Sequence, residues 1–81
     1  MPTLTLYGKP GCHLCDDARV AVERAIAGRG VALEEVDITL DPALHARYGE
    51  RIPVLDIDGE EVCELFVDEA VVERWLDRVD A

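Results

Sequence analysis

Thr3-Leu4-Thr5-Leu6-Tyr7-Gly8-Lys9-Pro10-Gly11-Cys12-His13-Leu14-Cys15 is the stretch on which the reading of this chain turns. Thr3 to Tyr7 alternates polar and apolar residues of β-favouring type, which predicts a short strand. Gly8-Lys9-Pro10-Gly11 stops it. From Cys12 to about Arg29 the period becomes helical, with Leu14, Ala18, Ala21, Val22, Ala25 and Ile26 on one broad face. Asp16 and Asp17 suit the positive end of that helix, and Gly28 and Gly30 supply its stop. Two cysteines separated by two residues can meet across a first helical turn and close a small disulfide ring. The first meets unsatisfied N–H groups and the positive end of the helix dipole, which favour a thiolate. The thiolate is the nucleophile of disulfide exchange. The second cysteine, inside the helix, is placed to resolve a mixed disulfide. A strand, a glycine turn and Cys-x-x-Cys opening a helix form a far more specific signal than the cysteine pair alone.

Beyond that helix, Val31 to Ile38 reads as a second strand. Asp41-Pro42 looks like an N-cap with proline at the first helical position, opening a short helix to about Tyr48 that Gly49 closes. Ile52 to Ile57 is a third strand, Asp58-Gly59 a two-residue hairpin signal, and Glu60 to about Leu65 a fourth strand. Val67 to Val79 is helical again, with Val71, Val72, Trp75, Leu76 and Val79 on its buried side. The order is βαβ, a short helix, a β-hairpin and a last helix. Strands joined through a helix run parallel with a right-handed crossover, and the hairpin is antiparallel. The expected fold is α/β: a mixed four-stranded sheet flanked by helices.

The chain has 81 residues, 49% of them hydrophobic types and 32% charged, room for one small domain taken as residues 1–81. Eighteen acids against eight bases give a formal charge of −10. That excludes the basic footprint of a nucleic-acid binder and an attraction to anionic lipid. No stretch approaches the ~20 apolar residues of a membrane span, and the start Met1-Pro2-Thr3-Leu4 has no basic leader, so the expected location is cytoplasmic. Residues 41–81 carry twelve of the eighteen acids, either a solvated face or a surface that attracts a basic partner. An odd count of three cysteines, Cys12, Cys15 and Cys63, argues against a secreted disulfide scaffold.

The segment Tyr7-Gly8-Lys9-Pro10-Gly11-Cys12-His13-Leu14-Cys15 resembles the thioredoxin superfamily, and within it the glutaredoxin-like proteins, in which a lysine precedes the nucleophilic cysteine by three positions. Arg51-Ile52-Pro53 is similar to the Thr-Val-Pro segment of that family, and Asp58-Gly59 to its hairpin turn. The resemblance covers essentially the whole chain. It implies a thioredoxin-like β-α-β-α-β-β-α fold, a cis Pro53 facing the cysteines, and a Cys12–Cys15 redox disulfide. Cys12 would be the nucleophile, Cys15 the resolving cysteine, and Lys9, His13, Ile52 and Pro53 the substrate-binding residues. The activity implied is thiol–disulfide oxidoreduction, in a monomer, on a disulfide-containing protein or a glutathione-type thiol. No cofactor or metal is bound on this reading; electrons come from glutathione as an external reductant or from a reductase. Two departures bear on glutathione. His13 and Leu14 stand where glutaredoxins carry Pro-Tyr, and the Gly-Gly pair, counted from Pro53, falls on Cys63 and Glu64. The pattern is that of a branch that keeps Cys-x-x-Cys and loses the pair, with Glu64 placing negative charge where an anionic tripeptide would sit.

Other readings stay open at this level. Cys63 is either an ordinary strand cysteine or a third thiol able to exchange with Cys12. His13 is either a plain surface histidine or a cation that stabilises the Cys12 thiolate. Arg47 or Arg51 could hold an anionic partner group, while His45 reads as a surface residue and Phe66 and Trp75 as core or edge aromatics. The whole protein could instead be a non-catalytic interaction module, hold zinc through Cys12, Cys15 and His13, or, as some glutaredoxins do, carry an iron–sulfur cluster bridging two chains with glutathione.

Overall fold

The computed structural model describes residues 2–80, so residues 1 and 81 of the expected 1–81 domain lie outside it, as does the side chain of Asp80. The elements are β1 (Thr3–Gly8), α1 (His13–Ile26), β2 (Ala32–Asp37), a 3-10 turn (Ile38–Leu40), α2 (Pro42–Tyr48), β3 (Val54–Ile57), β4 (Glu60–Glu64) and α3 (Glu69–Asp80). The sheet order is β2-β1-β3-β4. β1 runs parallel to β2, with Tyr7 beside Val36 and Gly8 beside Asp37. It runs antiparallel to β3, which pairs antiparallel with β4. The mixed four-stranded sheet is therefore the one anticipated.

Alternation along β1 sorts its side chains between two clusters. Leu4 and Leu6 join Ala18, Val22 and Ala25 of α1, Leu55 and Ile57 of β3, and Val72 and Leu76 of α3 in the main core. Tyr7, on the opposite face, packs against a second cluster of Cys15, Ile38, Tyr48, Ile52 and Val54. β3 lies between β1 and β4, and all four of its residues are buried. Each leucine removed from water contributes about 2 kcal/mol, so Leu4, Leu55 and Leu76 anchor the sheet to α1 and α3.

Several boundaries differ from the sequence reading. β2 ends at Asp37, whose carboxylate accepts from the Thr39 amide at 2.9 Å and so turns the chain into the 3-10 segment. α1 starts at His13 with Cys12 as its cap, and stops at Ile26. β3 starts only after Pro53, and α3 begins at Glu69, where the Asp68 carboxylate accepts from the Ala70 amide at 2.8 Å. Leu14 and Val79, expected in the core, are 49% and 43% exposed. Asp41 does cap α2, accepting from the Ala43 and Leu44 amides with Pro42 in the first turn. Asp58 and Gly59 both take positive φ, 51° and 90°, as a two-residue hairpin turn requires. Among the described residues, no helix is long and apolar enough to cross a membrane.

Candidate active site

Cys12 occupies the N-cap of α1 in extended backbone conformation, φ −93° and ψ 113°. An N-cap side chain normally offers an oxygen to the orphan N–H groups of the first turn. Here the Cys12 sulfur does so, accepting from the Cys15 amide at 3.3 Å. The sulfur thus sits in the field of the helix N-terminus, and the residue is only partly buried. All three cysteines are free thiols, so the structure describes the dithiol form of the Cys12–Cys15 pair.

Cys15 lies one turn deeper and is 8% exposed, among Ile38, Tyr48, Ile52 and Val54. Burial pushes its thiol up to about 11, and the hydrogen bond with the Cys12 side chain pushes the same way, against a Lys9 backbone N–H that donates to its sulfur. A buried thiol holds its proton because the low-dielectric surroundings penalise the anion. Cys12 and Cys15 therefore differ in access, one at the rim and one behind it.

The residues expected around the pair fall into place unevenly. Ile52 is buried in the Cys15 cluster, with Cys12 packed against the same group. The Ile52–Pro53 bond is cis. Pro53 itself is fully buried, so its ring fills the interior instead of standing open to a substrate. Lys9 and His13 are exposed, one in the turn and one as the first residue of α1. Lys9 meets the site through its backbone N–H on the Cys15 sulfur. Lys9, Cys15 and Asp16 also line a cavity of about 250 Å³ with Arg19, Glu35 and Asp37, on the β2 side of the helix start.

Three of the open readings narrow here. Cys63 packs with the main core opposite Leu55, apart from the Cys12–Cys15 cluster, and burial pushes its thiol up. It is a strand cysteine. Arg51 is engaged by Glu61 and by Glu64, the latter at 2.7 Å, so it is not open to an anionic partner group. The same pairing offsets the Glu64 charge that the sequence reading set against an anionic tripeptide. Phe66 is neither core nor edge: it is 68% exposed. Among the described residues, no three His, Cys, Asp or Glu side chains converge as a metal ligand set.

Sequence reasoning missed three features. Tyr7 and Tyr48 stack with ring centroids 4.4 Å apart, beneath the Arg47 and Arg51 guanidinium groups at 5.2 and 5.5 Å from the Tyr48 ring. Asp56 is buried in the middle of the sheet with one carboxylate oxygen unpartnered, and burial raises its carboxyl. Its one signal was an acid inside an apolar run. Leu65 has φ +66°, and its amide donates to the carbonyls of Arg51 and Pro53 at 3.0 and 2.9 Å. The left-handed backbone after β4 therefore falls on a leucine, one residue beyond the positions where counting from Pro53 had placed the missing glycine pair.

Comparison with known proteins agrees with this architecture. The pattern of the glutaredoxin-like domain (DUF836) matches residues 3–77. An uncharacterized protein of Mycobacterium tuberculosis is 32% identical over 75 residues, covering 84% of this chain and 75% of its own. The X-ray structure of a structural-genomics target, XcR50 from X. campestris, superposes with a TM-score of 0.77 at 42% identity, over 93% of this chain and 96% of that one. A thioredoxin mutant from Halobacterium salinarum does so with a TM-score of 0.70 at 26% identity, over 95% and 73%. With the family pattern spanning β1 to α3 and the fold shared with thioredoxins, this chain belongs to the glutaredoxin-like domain family of the thioredoxin superfamily.

Proposed function

We propose that this protein is a cytoplasmic thiol–disulfide oxidoreductase working through a Cys12–Cys15 dithiol. The observation that carries the reading is the Cys12 sulfur at the N-cap of α1, held 3.3 Å from the Cys15 amide, with Cys15 buried one turn behind it. Cys12 as thiolate attacks a substrate disulfide, forming a mixed disulfide and releasing one substrate thiolate. Cys15 then loses its proton and displaces the second substrate thiol, leaving Cys12–Cys15 oxidised. Two electrons pass to the substrate, and an external thiol such as glutathione, or a reductase, returns them. The Ile52 backbone beside the pair is the surface on which a substrate chain would lie; Lys9 and His13, exposed and close to Cys12 in the chain, would meet the substrate there. The protein would act as a monomer on disulfide-containing proteins.

The test is a redox titration of the pair in glutathione buffers, read by mass, with Cys63→Ala as control. A midpoint between roughly −270 and −120 mV places the pair among exchanging dithiols. A midpoint below about −300 mV, or no disulfide at any potential, would leave a structural pair and an interaction module in place of an enzyme.

A further inference from the structure

Four apolar side chains stand in water around the start of α1 and the turn after β4: Leu14, Val20, Leu65 and Phe66, the last two 51% and 68% exposed. Leu65 does so on backbone that does not relax easily, and Phe66 follows it directly. Leu65 holds φ +66°, a region that costs a residue with a Cβ about 1–2 kcal/mol and that glycine enters freely. Conformational cost and solvent-exposed hydrophobes retained at one turn point to a surface that something covers. The turn is tied to the candidate active site, since the Leu65 amide bonds the Pro53 carbonyl and Ile52 packs with Cys15.

Between this turn and α1 runs a groove of about 390 Å³. Its floor and walls are Val20, Ala21, Phe66 and Val67, and its rim carries Asp17, Asp68 and Glu69 against the single base Arg24. Charge selects among the occupants. A second copy of this chain, with a formal charge of −10, would bring like charge to an acidic rim. Glutathione, an anionic tripeptide with no large apolar side chain, matches neither wall nor rim. A protein segment with an apolar residue and basic flanks matches both.

We propose that the groove between α1 and the β4–α3 turn is a substrate-docking site that selects protein disulfides whose cysteine is flanked by an apolar residue and by lysine or arginine. This rests on the oxidoreductase reading and assigns its substrate class. Phe66 and Val20 contact the apolar side chain, Asp17 and Glu69 the basic one, and the helix that carries this wall presents Cys12 at its start.

The experiment uses three peptides of one length, each a mixed disulfide between its cysteine and 2-nitro-5-thiobenzoate: two with leucine near the cysteine and either lysine or glutamate flanks, and a third with lysine flanks and glycine in place of the leucine. Cys12 attacks the peptide sulfur and expels the coloured thiolate. Cys15 then displaces the peptide thiol and forms Cys12–Cys15, so two electrons leave the protein and one substrate S–S bond is broken. Each rate constant is divided by that for neutral 2,2′-dithiodipyridine with the same protein. The lysine peptide is expected to react about tenfold faster than the glutamate peptide at low salt, the gap narrowing as salt rises. Asp17→Asn with Glu69→Gln should close most of that gap, while Glu34→Gln with Glu50→Gln, removing as much charge elsewhere, should leave it. Phe66→Ser with Val20→Ser should remove the advantage of leucine over glycine in the peptide. Equal constants for the lysine and glutamate peptides, or a gap that the remote pair closes as well as the groove pair, overturn the docking site while the oxidoreductase stands. Failure to reduce even dithiodipyridine overturns both.

Discussion

A Cβ added at Gly8 would stand 3.0 Å from the Cys15 sulfur and 3.2 Å from its Cβ, so the end of β1 lies directly against the buried thiol. Contact that close leaves no room for a methyl group without displacing the cysteine. Gly8→Ala should cost about 1–3 kcal/mol in urea unfolding. In a double-mutant cycle with Cys15→Ala the cost should fall, because the nearer of the two clashing atoms, the sulfur, is gone while the Cβ at 3.2 Å stays. Equal costs in the two backgrounds would show that the Gly8–Cys15 contact is not the source.

Cys15, with its thiol pushed up to about 11, should make the second step of exchange pH-limited. Release of a peptide thiol from a preformed Cys12–peptide mixed disulfide should quicken about tenfold per pH unit from neutrality toward pH 10. Folding stability should move the other way. A thiol whose pKa is raised on folding favours the native state below its unfolded value and loses that contribution as pH rises through 9 to 11. Urea midpoints of wild type and Cys15→Ala should therefore converge or cross in that window. Parallel curves would contradict the burial of Cys15.

Among the described residues Asp56 is the one buried polar side chain, and burial, then the Glu61 charge, raise its carboxyl against a favourable Gly59 amide. Protonation of a raised carboxyl stabilises the fold at low pH, and that contribution is lost as pH climbs through its native pKa. Asp56→Asn keeps an acceptor for Gly59 and removes the anion, so it should raise stability by about 1 kcal/mol at pH 7. The gain should shrink toward pH 4. A destabilised Asn variant at pH 7 would mean that the ionised carboxylate is held by the Arg47 charge nearby.

Arg51 joins Glu61, Glu64 and the Tyr48 ring near the cis Ile52–Pro53 bond. Arg51→Leu leaves two neighbouring carboxylates without their shared cation. Its denaturation midpoint should drop at low salt and recover part of the loss as salt screens the acids. A loss indifferent to salt would assign the role of Arg51 to packing on Tyr48.

Leu65, with its positive φ, gives opposite expectations for two substitutions. Leu65→Gly relieves the backbone and should leave stability unchanged or slightly raised, despite the more flexible unfolded chain. Leu65→Val, β-branched, should cost about 1–2 kcal/mol in the same urea assay. Similar values for both would remove the conformational argument.

Local signals carried most of the architecture. Thr3 to Tyr7, the Asp41-Pro42 start and the Asp58-Gly59 turn specify structure through side-chain alternation, capping and permitted φ, each within a few residues. Cys-x-x-Cys after a glycine turn likewise placed Cys12 at a helix start, because strand, turn and helix are contiguous in the chain. What only the tertiary structure decided depends on contacts between distant segments. Leu14 fits the apolar helical period but has no element over it, so it is exposed; Phe66 is exposed because the chain turns outward after β4. Strand pairing sends Cys63 to the main core, and helix position sends Cys15 to the cluster of Tyr48 and Ile52. Asp56 is buried because β3 is sandwiched between β1 and β4, and the pairing of Arg51 with Glu64 exists only once the hairpin folds back. Helical spacing marked Ala18, Val22, Val72 and Leu76 as buried, but at these other positions burial and partnership are properties of the packed sheet that local spacing does not encode.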